Sequence, residues 1–272
     1  MYGLGVNKLG VTNVSGGFNP LSLFANGEQG AWYDPSDLTT VFQPDGTTPT
    51  VPWVSGTVTD ANRVGKLVDK SRATGHDLIQ TSSAKCPTLV SAGGLYYLDF
   101  DGDDGMRTTL DLPFGTNTVN EMSVFSATEF ETGGSAQNVL ELSNSIGTND
   151  GAFRIFITSG NLVRSIQKGT TANTAQTTAV SIPHKAVLSS VADISAPSHL
   201  FRSNGSVVQD LTTSLGTGNY ADHPLNMGAR SNGGSAQLDG KIYGVVIVGK
   251  KADSVEIANT EAYLASKSGV TL

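Results

Sequence analysis

The stretch Gly93–Thr108, GGLYYLDFDGDDGMRT, decides the fold class. Its first half alternates between two faces, as the residues of a β-strand do. Leu95, Tyr97, Asp99 and Asp101 share one face, and Tyr96, Leu98 and Phe100 share the other. The glycines and aspartates that follow favour a turn over a longer strand. The stretch therefore predicts a strand that ends in a tight turn.

The composition is typical of a β protein with many turns. Charged residues make up only 15% of the 272 residues, and 32 residues are glycine. A chain of this length can form one large β domain or two small domains with a sizeable core. Low charge combined with many turn residues disfavours a helical enzyme.

Short β-rich runs continue from Leu110 to Val248 and are separated by turn residues such as Asn204-Gly205. The predicted strands are Glu121–Glu131, Asn138–Ser143, Ala152–Thr158, Leu162–Gln167, His184–Asp193, His199–Arg202, Ser206–Leu211, Leu225–Ala229 and Gln237–Val248. The most apolar run, Ile242–Val248, predicts a central strand that is buried on both faces. Many short strands at near-regular spacing predict an all-β, two-sheet antiparallel jelly-roll sandwich.

The end of the chain changes to a helical period. Asp253 followed by Glu256 forms a capping box in sequence, and Gly269 is placed to end the helix. Apolar residues between them recur at helical spacing. The sequence predicts one short C-terminal helix.

Charge and cysteine content exclude several classes of partner and site. The net charge of −7 and the pI of about 5.0 disfavour a nucleic-acid partner. The arginines at positions 107, 154, 164 and 230 are spread along the chain and predict no patch for anions. The single cysteine, Cys86, excludes an internal disulfide and a cysteine-rich zinc site.

The sequence predicts neither membrane insertion nor a secretory signal. No run approaches the roughly 20 apolar residues of a membrane helix, and the first residues lack a basic start and a long apolar run. We therefore expect a protein that is soluble as made. Residues 1–29 are rich in Gly, Asn and Ser and predict an extended arm that anchors the domain 30–272.

Asp99, Asp101 and Asp103 form a candidate metal site. Their spacing resembles the start of a helix–loop–helix calcium loop, but Asp104 stands where that loop needs Gly, and Leu110 where it needs Glu. An irregular Ca²⁺ site stays open. The alternative is a turn in which the aspartate side chains accept hydrogen bonds from nearby backbone N–H groups. Nothing else in the sequence predicts a cofactor.

Carboxylate pairs could also serve a polysaccharide hydrolase. Asp99 with Asp101, and Glu129 with Glu131, would each place two side chains on one face of a strand. The histidines show no metal-ligand spacing, and no Gly-x-Ser-x-Gly elbow supplies a nucleophile. The sequence therefore favours a protein that is not an enzyme.

Aromatic and polar loop residues are candidates for ligand binding. Trp53 lies in a proline-rich loop, where it is either a lid over the core or an exposed stacking platform. Tyr220, Asp222 and His223 lie in a polar loop, and Tyr220 is the aromatic residue that we expect to be exposed. An aromatic face beside Asn, Asp and backbone amides is a common arrangement for sugar binding.

Several segments together resemble a known family. They are GAWYDPSD at residues 30–37, Lys70-Ser71 with Gly75-His76, LDFDGDD at 98–104 and LDGKIY at 238–243 with the helix after it. Together they are similar to concanavalin A-like (laminin-G-like) jelly-roll domains of tailed-phage and prophage virion proteins. The resemblance covers about residues 30–272. It implies a two-sheet sandwich used in adhesion or assembly, and it makes the Phe-Asp-Gly segment a fold signature.

From this resemblance we expect a non-enzymatic structural or adhesion component of a tailed-phage virion, in a tail tip, a fibre or a capsid decoration. The arm 1–29 would bind other virion proteins, and the oligomer would be a homotrimer. The alternative is a carbohydrate-binding module for a host surface glycan, and a polysaccharide hydrolase is a third hypothesis.

Overall fold

The computed structural model describes residues 17–45, 49–52, 62–71, 75–231 and 233–272. The strands in chain order are β1 Gly30–Tyr33, β2 Val41–Phe42, β3 Lys66–Leu67, β4 Leu78–Ile79, β5 Thr88–Ala92, β6 Leu95–Asp101, β7 Met106–Thr108, β8 Glu121–Phe130, β9 Gln137–Leu142, β10 Ala152–Ile157, β11 Leu162–Lys168, β12 Ala172–Ala179, β13 His184–Asp193, β14 Ser198–Ser203, β15 Ser206–Leu211, β16 Leu225–Met227 and β17 Asp239–Val248. One α-helix, α1, spans Ser254–Ser268, and short 3-10 helices span Pro20–Phe24, Leu38–Thr40 and Ser83–Lys85.

The strands form two antiparallel sheets. Sheet 1 has eight strands, with the order β15-β14-β13-β8-β17-β6-β5 and with β1 also paired to β17. Sheet 2 has nine strands, in the order β12-β11-β10-β9-β16-β7-β4-β3-β2. The prediction of an all-β sandwich with one C-terminal helix is confirmed.

The main core lies between the two sheets. Leu98 and Phe100 of the opening stretch project into it and are at most 1% exposed. The alternation that predicted β6 therefore also identified its buried face. A second apolar cluster, which includes Tyr243 and Leu264, lies between the outer side of sheet 1 and α1. Sheet 1 is thus covered on both sides.

The central strand of sheet 1 is β17, as the sequence predicted. It pairs with β8 on one side and with β6 and β1 on the other. Every residue from Ile242 to Val248 is buried. Burial on both faces explains why this run shows no polar alternation.

The C-terminal helix has the predicted ends. The Asp253 side chain accepts hydrogen bonds from the N–H groups of Val255 and Glu256, and the Glu256 side chain accepts one from the Asp253 N–H. Gly269 ends the helix in a left-handed conformation, with φ of 73°. The helix docks through Glu261, which accepts bonds from Ser189 and Arg202 of sheet 1.

The first described residues pack onto the domain. Leu23 and Phe24 are 0% and 6% exposed and belong to the apolar cluster outside sheet 1. The predicted extended arm over residues 1–29 is therefore wrong for residues 17–29, because the apolar side chains there complete the core. Residues 1–16 lie outside the described residues, and their role as an arm stays a prediction.

Two aspartates hold β1 in place. Asp34 accepts hydrogen bonds from Ser36, Tyr263 and Lys267, which connects β1 to α1. Asp69 accepts from the N–H of Trp32 and holds β1 from the other side. In the part of the chain that is described, no helix has the length and apolar character to cross a membrane.

Candidate functional site

One row of side chains crosses the outer face of sheet 2 from edge to edge. Its members are direct cross-strand neighbours. In spatial order they are Phe42, Lys66, Ile79, Arg107, Asn226, Glu141, Arg154, Ile166 and Thr174. The adjacent row, which contains Leu67, Leu78, Leu142 and Phe153, points into the core and is fully buried. Because successive residues of a strand face opposite sides, the first row lies on the side away from the core.

Two further arginines join this row. Arg164 is paired with Phe156 and Gln176, one step along the strands on the same face. The guanidinium of Arg230 contacts Glu141 from a loop. We call the row, together with Phe156, Arg164, Gln176 and Arg230, the arginine face.

The arginines that are spread along the sequence lie on one face of sheet 2, which the sequence did not predict. Register places Arg107 and Arg154 in one row, and Arg164 and Arg230 beside it. With Lys66 these are five cations, and Glu141 is the only acid among the residues that define the face. Two of these cations, Arg154 and Arg230, contact Glu141, whereas Lys66, Arg107 and Arg164 have no acidic partner among the residues of the face.

Glu141 organises the centre of the face. It is fully buried and accepts bonds from Arg230, at 2.5 Å from Nε and 3.1 Å from Nη2. It also accepts from the hydroxyl of Ser143 and the N–H of Ile146, which fixes the loop after β9. Its partner on β10, Arg154, lies with Nε 3.6 Å from Glu141 Oε2. A buried carboxylate with this many donors holds both guanidinium groups in place.

Arg154 is itself constrained. Its Nε donates to Asn138 Oδ1 at 2.9 Å, and its guanidinium stacks 3.9 Å from the ring centre of Phe156. Burial, with a contribution from the charge of Arg230, lowers the pKa of Arg154 to about 10, and Glu141 opposes this shift. Arg154 therefore remains charged at neutral pH, with 7% of its surface exposed.

The arginines on either side of the buried centre are freer. Among the described residues neither Arg107 nor Arg164 forms an ion pair. Arg107 lines a cleft of about 280 Å³ together with Gln80, Thr81 and Thr109. Arg164 donates to Gln176 Oε1 at 2.7 Å, and Gln176 lines a larger cleft of about 630 Å³ between β12 and β15. Arg107 thus lines one cleft, and Arg164 is hydrogen-bonded to a residue that lines the other.

The aspartates that cluster at the end of β6 are not the same three that the sequence predicted as a metal site. Carboxylate oxygens of Asp101, Asp103 and Asp104 lie within 4.8 Å of one another, whereas Asp99 is not part of the group. Asp104 Oδ2 accepts from the Asp101 N–H at 3.2 Å, and Asp101 Oδ1 accepts from the Asp103 N–H at 3.4 Å. The acids therefore hold the turn, as the structural interpretation predicted.

Asp104 is the unusual member of this turn. It is 1% exposed, and burial raises its pKa to about 7, with the charges of Asp101 and Asp103 contributing. Arg63 Nη1, at 3.7 Å from Asp104 Oδ1, opposes the shift. Burial and Glu131 also raise the pKa of Asp99.

The loop at residues 220–223, which was predicted to bind sugar, has a buried tyrosine instead of an exposed one. Tyr220 is 0% exposed and donates its hydroxyl to Gln167 Oε1 in the core, so the prediction that it is an exposed ligand-binding residue is wrong. Asp222 accepts from Thr116, and His223 Nε2 lies 2.9 Å from the carbonyl of Asp150. Trp53 lies outside the described residues.

A serine–histidine–asparagine group lies in the core. His199 Nε2 is 3.0 Å from Ser165 Oγ and 3.1 Å from Ser190 Oγ, and its Nδ1 is 3.1 Å from Asn173 Oδ1. Burial lowers the pKa of His199 to about 4. All four residues are at most 4% exposed. A substrate cannot reach them, and the group joins the two sheets rather than forming a reactive site.

The two glutamates named for a hydrolase, Glu129 and Glu131, are held by their neighbours. Glu129 accepts from the Tyr243 hydroxyl at 2.8 Å and pairs with Lys185 at 3.2 Å. Glu131 pairs with Lys241. The contacts of Glu129 lower its pKa despite its partial burial. A general acid needs a raised pKa, so Glu129 is poorly suited to that role.

No protein family and no curated protein sequence matches the chain. Several solved structures are similar over part of it. The NanB sialidase of Streptococcus pneumoniae, in complex with 2-[(3-chlorobenzyl)ammonio]ethanesulfonate, is 15% identical over 51% of this chain and 23% of its own, with a TM-score of 0.42. The chain thus spans about a quarter of the length of that sialidase.

Two other similar structures cover more of this chain. The CBM40 of the Ruminococcus gnavus IT-sialidase is 13% identical over 57% of this chain and 97% of its own, with a TM-score of 0.43. A leech intramolecular trans-sialidase, complexed with 2,7-anhydro-Neu5Ac, is 13% identical over 61% of this chain and 28% of its own, with a TM-score of 0.43.

Proposed function

We propose that this protein is a non-catalytic glycan-binding domain and that the arginine face is its binding surface. The observation that carries the proposal is the row on the outer face of sheet 2, in which a buried centre is flanked by two partly exposed arginines, Arg107 beside one cleft and Arg164 beside a residue that lines another. A rigid sheet presents amide, hydroxyl and guanidinium groups at fixed spacing, and sugar hydroxyls are bound by such groups.

The fixed centre of the face supports a binding role. Glu141, Arg154 and Arg230 are held by contacts within the protein before any ligand arrives. A preorganised surface loses little conformational entropy on binding. The described residues with a triad-like arrangement are buried, which favours binding over catalysis.

A glycan array probed with the full chain tests this proposal. We expect binding to a defined set of glycans without release of reducing ends. Arg107→Ala should weaken this binding, whereas the control Lys251→Ala, which removes a cation from beside sheet 1, should not. Binding to no glycan on the array would contradict the proposal.

A place in a tailed-phage virion is a second and separate proposal, and it stays a prediction. It is supported by the family resemblance of the sequence. The location in a virion, the homotrimer and the binding of other virion proteins are predictions that rest on the same resemblance. Loss of incorporation into particles on deletion of residues 1–16, with the domain still folded, would support it. Normal incorporation of that variant would contradict the arm.

A further inference from the structure

The chemical class of the bound glycan can be inferred beyond the proposed function, and this inference rests on that function. We propose that the glycan is anionic and that Arg107 and Arg164 bind its carboxylate or sulfate groups. The arginine face has five cations and one acid, and that acid, Glu141, is already paired with Arg154 and Arg230.

The free donors lie where a ligand can reach them. Arg107 lines the cleft that also contains Gln80, Thr81 and Thr109. Arg164 is partly exposed and uses one donor for Gln176, which leaves further guanidinium N–H groups. Guanidinium groups bind carboxylate and sulfate oxygens with two parallel hydrogen bonds. Both arginines are therefore suited to bind an anionic group.

The spacing of the cations favours an extended ligand. Arg107 and Arg154 are separated by three strand spacings, or about 14 Å, and Arg164 lies on the next strand. A single small anion cannot contact Arg107 and Arg164 together. A chain of sugars that carries repeated acidic groups can.

The surroundings favour an acidic glycan over nucleic acid. Single-stranded nucleic acid is bound by aromatic side chains on which bases stack. On this face the two aromatic rings are covered by cations, Phe156 by Arg154 and Phe42 by Lys66. Amide and hydroxyl groups in both clefts match sugar hydroxyls.

Calorimetric titration of the full chain with dextran, carboxymethyl-dextran and dextran sulfate tests the inference, because the three probes share a backbone and differ in charge. We expect binding of at least one charged derivative, at least about tenfold tighter than dextran and weaker as salt increases. The derivative that binds identifies carboxylate or sulfate as the recognised group.

Two variants locate the effect. The double variant Arg107→Ala/Arg164→Ala should weaken binding by about a hundredfold, or about tenfold for each arginine. Lys251→Ala removes the same type of charge elsewhere and should leave affinity unchanged. Unchanged affinity of the double variant, or equal loss in the control, would overturn the assignment of the two arginines.

The remaining outcomes separate this inference from the proposed function. Failure of both charged dextrans to bind overturns the inference, and binding of neutral glycans on the array then leaves the proposed function standing. Failure of every glycan on the array overturns both. A DNA oligonucleotide that binds as tightly as the charged dextrans would overturn the inference in favour of nucleic acid.

Discussion

Arg107 and Arg154 lie in one cross-strand row on the outer face of sheet 2, with only Asn226 and Glu141 between them. In the sequence they belong to segments that are separated by β8 and β9 and by the change from one sheet to the other. The two arginines therefore share a face because of the register in which the strands of sheet 2 pair. The proposed glycan-binding surface depends on that relationship.

Glu141→Gln should destabilise the protein strongly. The carboxylate is fully buried and holds Arg154, Arg230 and the loop after β9. Removing its charge leaves partly buried guanidinium groups without a counter-ion, at a cost of about 3–5 kcal/mol in the free energy of unfolding. Urea denaturation measures the change. The control Glu131→Gln breaks a more exposed pair and should cost less than about 1 kcal/mol; equal costs would contradict the central role of Glu141.

His199 should make stability fall in acid. Its pKa is about 4 in the folded protein against 6.5 ordinarily, so the unfolded chain takes up the proton first. Its contribution is complete above pH 6.5 and is lost progressively as the pH falls from 6.5 to 4. Between about pH 7 and about pH 5 this amounts to about 2 kcal/mol.

Urea denaturation of the wild type and of His199→Gln at both pH values isolates this effect. The difference in unfolding free energy between the two proteins should shrink by that amount at the lower pH. The raised pKa values of Asp69 and Asp104 act in the opposite direction, but they are present in both proteins and cancel. A difference that does not change with pH would show that His199 is not buried in its neutral form.

Asp104→Asn should stabilise the protein in alkali. The pKa of Asp104 is about 7 in the folded state and 3.8 ordinarily, so the stability it contributes is present below pH 3.8 and is lost as the pH rises through 7. At about pH 8 the neutral amide should raise the free energy of unfolding by up to about 4 kcal/mol. The exposed neighbour provides the control, because Asp103→Asn should change little. A loss of stability in Asp104→Asn at this pH would refute the burial argument.

The cation site at this turn stays a prediction, and the same variant tests it. A cation held by Asp101, Asp103 and Asp104 would offset the cost of ionising Asp104. Millimolar Ca²⁺ would then raise the melting temperature of the wild type more than that of Asp104→Asn. An equal response of both proteins would leave the turn with a structural role alone.

Deletion of residues 1–16 should leave the stability of the domain unchanged, whereas deletion of residues 1–29 should lower it strongly. The longer deletion removes Leu23 and Phe24 from the apolar cluster outside sheet 1. Losing two buried side chains of this size costs about 5 kcal/mol or more. Thermal unfolding followed by circular dichroism compares the two truncations. Equal melting temperatures would show that the packing of residues 17–29 contributes nothing.

Sequence patterns predicted those elements whose signals are local. Alternation located β6, an uninterrupted apolar run located β17, and the pair Asp253 and Glu256 located the start of α1. Each pattern reflects burial or capping within a few residues of the chain. The strand β12, with the sequence ANTAQTTA, was missed because it is a polar edge strand with alanine and asparagine on its buried side.

The functional surface could not be predicted in the same way. A shift of one residue in register would move Arg107 or Arg154 to the opposite face of its strand. The loop that carries Tyr220 looked polar and exposed, but the tyrosine ring fills the core and its hydroxyl bonds to Gln167. Both cases depend on pairing between distant segments, which composition and spacing do not encode.

Backbone amide chemical shifts of the full chain, recorded while charged dextran is added, test most directly whether the arginine face binds the glycan. We predict that the shifts which change most belong to Lys66, Arg107, Arg164 and Gln176, on strands of sheet 2. Changes confined to the turn at Asp101–Asp104, to the loop at Tyr220–His223 or to sheet 1 would contradict binding at the arginine face.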